Sequence, residues 1–108
     1  MNTTEIIGVP IKIGDIDVAQ HAFPNEMTWD EGVKACIELG EGWRLPTKYE
    51  NNLLYQNKDK IGGFEGVYLC SSEWGGNPNL AVAKNFNNGE TESAWRDDEY
   101  NVRAVRAF

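Results

Sequence analysis

The chain has 108 residues, 41% of them hydrophobic, and a formal net charge of −7. One domain with a modest core fits that length and apolar content, and the acidity argues against a polyanionic partner such as nucleic acid or an anionic lipid surface. No apolar run approaches the length of a membrane span, so no membrane insertion is expected.

No basic region followed by an apolar stretch opens the chain, since residues 6–13 include Gly8, Pro10 and Lys12. Without a secretory signal the expected location is the cytoplasm or a phage particle. Asn2-Thr3-Thr4 matches a glycosylation sequon and is read as accidental on the same ground. Residues 4–22 read as extended: Ile6, Ile7, Val9, Ile11 and Ile13 partly alternate, Gly14-Asp15 marks a turn, and Ile16, Val18 and Gln20 resume period two. A hairpin of two short strands is expected, with Pro10 keeping the first at a sheet edge.

Thr28-Trp29-Asp30-Glu31 has the pattern of a capping box, and Trp29, Val33, Cys36 and Ile37 then recur on one helical face. Gly40 is a natural stop, so a helix is expected over 29–39 with Cys36 on its buried side. Next comes Gly42-Trp43-Arg44-Leu45-Pro46-Thr47. In extended backbone Trp43 and Leu45 point one way and Arg44 the other, while Pro46 excludes helix at Leu45. Thr47-Lys48-Tyr49-Glu50 repeats the capping box and opens a second helix, with Tyr49, Leu53 and Leu54 as its apolar stripe to about Gln56. Asn57-Lys58-Asp59-Lys60 reads as a polar exit and Ile61-Gly62-Gly63-Phe64 as a glycine turn with two apolar anchors.

The remainder reads as antiparallel sheet with long loops. A short strand is expected over 67–70, and a loop over 71–79, which holds Gly75-Gly76, Asn77 and Pro78. A strand over 80–86 leads to Asn88-Gly89, a strong hairpin signal because both residue types tolerate positive φ. Residues 90–100 are polar apart from Trp95, and 101–108 close the chain as a strand. Strands, then helices, then strands without alternation give an α+β fold with an antiparallel sheet. Both chain ends are apolar, so the terminal strands are expected to be neighbours.

The motif order resembles a known family. It comprises Gly42-Trp43-Arg44-Leu45-Pro46-Thr47 with Glu50, then Tyr68-Leu69-Cys70-Ser71-Ser72-Glu73-Trp74, then Asn85-Phe86-Asn87-Asn88-Gly89, then Val102-Arg103-Ala104-Val105-Arg106. This is similar to the bacterial and phage Lcl C-terminal domain family (DUF1566), over about residues 16–108. The resemblance implies a C-type lectin-like fold, two helices packed on a twisted antiparallel sheet with long loops, near the formylglycine-generating enzyme branch. The Asn-rich second half ending in Val-Arg-Ala-Val-Arg also resembles variable proteins of diversity-generating retroelements. That likeness implies that residues 68–100 carry a changeable binding surface. The chain departs from the family at Leu69, where Trp is usual, and at Cys70, where Ser is usual. It departs again at Ala104, where many relatives carry a Cys that looks like the partner of Cys36.

Weighed residue by residue, catalysis finds little support. Oxidase chemistry needs reactive thiols in accessible, electropositive settings, whereas Cys36 lies on an apolar helix face and Cys70 in a strand beside Leu69. Two cysteines can form one bridge or stay reduced, and reduced buried thiols are expected. His21 is the only histidine, and neither it nor Ser71-Ser72 has a visible catalytic partner. Asn77-Pro78-Asn79 faintly resembles a calcium-lectin loop and Asp97-Asp98-Glu99 can hold a hard cation. A solvated loop is the favoured reading, so no metal and no cofactor are expected.

Trp43, Arg44, Leu45 and Pro46, with Arg103 and Arg106, read as architecture. Arg44 is expected to tie to Glu50. Arg103 and Arg106 have opposite parity, and one is expected to meet a carboxylate such as Glu31 or Glu50. The expected binding residues are Tyr68, Trp74, Trp95, Arg96 and Tyr100, aromatic or Arg groups in or beside loops. Asn77, Asn79, Asn85, Glu92, Asp97 and Asp98 supply adaptable hydrogen bonds, and Leu80 and Ala83 lie on the adjoining strand. The sequence thus points to a non-catalytic ligand-binding domain, and the retroelement resemblance implies a protein or glycan on a cell surface as its ligand. The alternatives are an assembly module of a phage or surface fibre, and a degenerate enzyme.

Overall fold

The structure, a computed structural model, describes residues 3–107. Asn2 of the sequon and Phe108 of the expected last strand lie outside the described residues. In chain order the elements are α1 (Thr3–Ile7), β1 (Ile11–Ile13), β2 (Ile16–Val18), α2 (Trp29–Glu38), α3 (Lys48–Gln56), α4 (Lys58–Ile61), β3 (Val67–Trp74), β4 (Asn77–Asn85), β5 (Thr91–Trp95) and β6 (Val105–Ala107). They form two antiparallel sheets, β1-β2-β6 and β3-β4-β5, in an α+β arrangement.

The expected first hairpin is present, with Ile13 opposite Ile16 and β1 at the sheet edge. The terminal strands are neighbours, since Val18 pairs with Val105. Residues 4–7, expected to be extended, instead belong to the helical turn Thr3–Ile7, which ends where the Gly8 amide donates to the Thr4 carbonyl at 2.8 Å. That turn places Ile6, 4% exposed, in the main core. A run of β-branched residues does not reveal this, because the docking of one side chain decides it.

Both capping boxes form. Thr28 Oγ accepts the Glu31 amide at 3.3 Å while Glu31 accepts the Thr28 amide at 2.9 Å. The Thr47–Glu50 pair does the same at 3.1 and 2.9 Å. Helix α2 docks through Gly32 and Cys36, with Leu39 at its C-cap; Cys36 is buried as expected, while Trp29 and Val33 pack half-buried at the core's margin. Gly32 permits this approach, because a methyl group there would come within 3.0 Å of Val102. The 29–33–37 stripe therefore borders solvent, and Ile37 is 61% exposed. In α3 the buried residues are Asn51 and Leu54, and Tyr49, expected inside, faces water. Asn51 is held inside by its amide, which donates to the Leu69 carbonyl and to Cys70 Sγ. The polar exit over 57–60 is not loop: it leads into α4, whose Ile61 packs on the second core.

The corner at 42–47 is built as its sequence implies. Trp43 and Leu45 are each 3% exposed in the main core. Arg44 points away and grips Glu50 through two bonds of 2.6 and 2.9 Å. The Arg44 backbone also exchanges two hydrogen bonds of 2.9 Å with Val105, which seats the corner against β6. Arg106 lies 4.6 Å over the Trp43 ring and pairs with Asp17 at 3.1 Å.

Of the two late arginines, one is expected to meet a carboxylate, and Arg106 does, though its partner is Asp17. Arg103 is 2% exposed and meets no carboxylate among the described residues. Its guanidinium donates to the backbone carbonyls of Ala19, Gln20 and Gly62 and stacks on Phe64. The expected partners Glu31 and Glu50 are already held in their capping boxes. Residues 101–104, expected as strand, bond to three different segments: Asn101 to β3, the Val102 carbonyl to the Phe23 amide, and the Ala104 carbonyl to the Ala19 amide.

The stretch 71–79 is strand rather than loop. Gly75 and Gly76, at φ of +56° and +75°, make the two-residue tip of a hairpin in which Trp74 pairs with Asn77. The register shifts between Leu69 and Trp74. This hairpin end runs beyond the core, so its residues are solvated and carry no apolar alternation to read. The β4–β5 connection spans residues 86–90; only Gly89 takes positive φ there, and the Asn88 side chain accepts the Glu90 amide.

Candidate recognition surface

Because the three strands are antiparallel, the end of β3, the start of β4 and the end of β5 meet at one end of the sheet. Trp74 and Trp95 sit there, 37% and 55% exposed. Leu80 is the cross-strand partner of Trp95 and so lies on the same face, half-buried beside it. Asn77 and Asn79 are exposed at the start of β4, where the Asn77 side chain accepts the Asn79 amide at 2.9 Å. The Asn79 carbonyl in turn accepts the Arg96 amide at 3.0 Å. Asn79, Trp95, Arg96 and Asp97 line an open depression of about 210 Å³.

Arg96 is held from behind. Its guanidinium lies 4.0 Å over the Trp29 ring, and Trp29 is itself fixed by donating its indole N–H to the Cys70 carbonyl at 3.0 Å. Among the described residues no carboxylate comes within ion-pair distance of Arg96, and its Nε is buried without a partner. Asp97 and Asp98 are exposed. Tyr100 is half-buried and bridges to Met27; burial, then the Asp98 charge, pushes its phenol above the usual value.

Four expected binding residues do not join this end. Tyr68 is 3% exposed; its ring meets Phe64 and Phe86 edge-on, and its hydroxyl bonds to the Gly63 carbonyl and the Glu65 amide. Ala83 is fully buried opposite Leu69. Tyr68 packs in the second core from β3, and Ala83 lies on the central strand β4, whose residues 81–84 are covered on both faces. Asn85 and Glu92 bond to each other at 3.3 Å, towards the opposite end of β4.

Two residues escape sequence reading, one beneath the recognition end and one at the other end of β4. Trp29 supports Arg96, and only its spacing within α2 hints at burial. Lys84 is 7% exposed, with its ammonium donating to Asn52 and to the Gly89 carbonyl at 2.7 and 2.6 Å. Nothing in the alternation of β4 marks a lysine as interior. Elsewhere, an apolar groove of about 290 Å³ runs between α2 and the corner, lined by Trp29, Val33, Ile37, Arg44, Leu45, Thr47 and Ser71.

The thiols are poorly suited to redox catalysis. Cys36 and Cys70 are free and buried, and burial pushes them up to about 12 and about 11. An activated cysteine is accessible and depressed in pKa instead. The acidic trio 97–99 does not converge: among the described residues no group of three His, Cys, Asp or Glu side chains is placed to hold a metal. No described helix is long and apolar enough to cross a membrane.

The fold is C-type lectin-like. The chain is similar to botrocetin, with a TM-score of 0.68 and 15% identity, covering 94% of this chain and 98% of that one. It is also similar to a chain in the complex of botrocetin with the von Willebrand factor mutant (I546V) A1 domain, with a TM-score of 0.64, 14% identity and the same coverage. No family model and no curated protein sequence matches the chain.

Proposed function

We propose that the chain is a non-catalytic binding domain that recognises a protein partner with the Trp74–Trp95 end of the β3-β4-β5 sheet. One observation carries this reading: two large indoles stand in solvent at a single sheet end whose neighbouring strand segment is fully buried. Exposed aromatic residues at one end of a sheet, with polar groups around them, are of the kind that dominates binding energy in interfaces. The neighbour solved in complex with the von Willebrand factor A1 domain supports a protein ligand for this fold. A screen of the full chain against displayed surface proteins, with a glycan array in parallel, tests it. A partner captured by the native chain should be lost on Trp95→Ala with the fold intact. Capture that survives both Trp74→Ala and Trp95→Ala would end the proposal.

We further propose that this surface is diversified by a retroelement, in keeping with the Asn-rich second half. The encoding locus should then hold an adenine-rich near-copy of the segment for residues 68–106, and a locus without one removes this part. A second reading, an assembly module, is favoured by the apolar groove beside Ile37. Under it, Ile37→Glu should change the sedimentation of the chain, and Trp95→Ala should not.

A further inference from the structure

Resting on that recognition surface, we infer that its partner presents a basic segment, Arg- or Lys-bearing, to the exposed indoles. Charge around the sheet end is one-sided. Glu73 precedes Trp74, and Asp97, Asp98 and Glu99 follow Trp95 and Arg96. The Met27–Tyr100 bridge lays residues 26–30 alongside, adding Glu26 and Asp30, both exposed. Against these stands Arg96, whose cationic face is taken up by the Trp29 ring. The whole chain carries −7, so the long-range field has the same sign as the local one.

The indoles make this more than a patch of acid. A guanidinium or ammonium placed over an indole face is attracted by the ring and gains further from carboxylates at its edge. Trp95, 55% exposed, borders the depression whose wall includes Asp97, so both kinds of contact lie within one side chain's reach. An acidic ligand would instead meet six exposed carboxylates against the one cation among these residues, Arg96, which already lies over the Trp29 ring. Opposite charge also speeds encounter, and it makes binding sensitive to salt.

The test uses the full chain and two synthetic peptides, one alternating Arg and Gly and one alternating Glu and Gly. The indole N–H resonances of Trp74 and Trp95 are followed by NMR. The Arg peptide should move both signals saturably and leave that of buried Trp43 in place. Its affinity should fall about tenfold between about 50 and about 300 mM salt, as screening of exposed charges requires. Asp97→Asn with Asp98→Asn should weaken it about fivefold or more, whereas Glu38→Gln with Glu41→Gln, at and just past the far end of α2, should change nothing. Unmoved indoles, equal binding of the Glu peptide, or equal loss from the Glu38/Glu41 variant would overturn the inference. If the peptide fails while a screened partner is still lost on Trp95→Ala, the basic partner falls and the recognition surface stands; if both fail, both fall.

Discussion

The Arg103 Nε donates to the Ala19 carbonyl at 2.9 Å, joining positions 84 residues apart in sequence. The same guanidinium reaches Gln20 and Gly62, so one side chain closes the N-terminal sheet, the turn after α4 and the C-terminal segment onto each other. Burial draws it down to about 10, still far above neutrality, so it stays charged. Arg103→Met would leave three carbonyls without their donor. A loss of about 3 kcal/mol or more is expected by urea denaturation, given ~1–3 kcal/mol for each orphaned buried group. Arg103→Lys should recover little of it, because an ammonium lacks the planar fork.

The four tryptophans divide by role, and truncation should reveal it. Trp43, 3% exposed under Arg106, belongs to the core, so Trp43→Ala should cost about 3–5 kcal/mol. Trp95, 55% exposed, should cost within about 1 kcal/mol as Trp95→Ala. Thermal melts of the two variants side by side check this; equal losses would contradict the division.

Acid should weaken the corner through Glu50. Its hydrogen bonds to Arg44, and then to the Thr47 amide, hold its carboxyl below the ordinary value of 4.5. A depressed carboxylate contributes stability that is present above 4.5 and is lost as the pH falls through the folded value. Glu50→Gln should therefore flatten the acid limb of the stability curve. At neutral pH it should cost about 1 kcal/mol, since the pair is partly solvated and the amide oxygen can still cap Thr47. Urea midpoints across the acid range measure both effects.

Thiol labelling should report unfolding and not chemistry. Cys36 and Cys70 are at most 1% exposed, and burial raises both thiols. Modification by a disulfide reagent at neutral pH should be slow and should accelerate in step with added urea. Rapid labelling of the native chain would mean that one thiol is accessible.

What the sequence disclosed was whatever short-range chemistry decides. Thr28–Glu31 and Thr47–Glu50 announce two helix starts, and Gly14-Asp15 announces a turn, because their partners lie within a few residues. Trp43, Leu45 and Arg44 were legible because alternation about a proline leaves one arrangement. Long-range choices were not legible. The burial of Lys84 follows from β4 being central, and strand order cannot be read from β4 itself. Arg103 looks like an ion-pair residue until three distant carbonyls are seen converging on it. The hairpin over 71–79 was hidden because it projects past the core, where no apolar periodicity is needed. Of the residues expected in the binding surface, Trp74 and Trp95 do reach solvent, while Tyr68 and Ala83 are buried in covered strand.

The Gly75-Gly76 tip is roomy: a methyl group built on either glycine would meet no atom within 4 Å. Extra residues spliced in at that point would grow outward and leave the packing of both sheets alone. They would rise next to Trp74 and change the footprint of the surface. That makes this tip the natural place to graft a foreign loop.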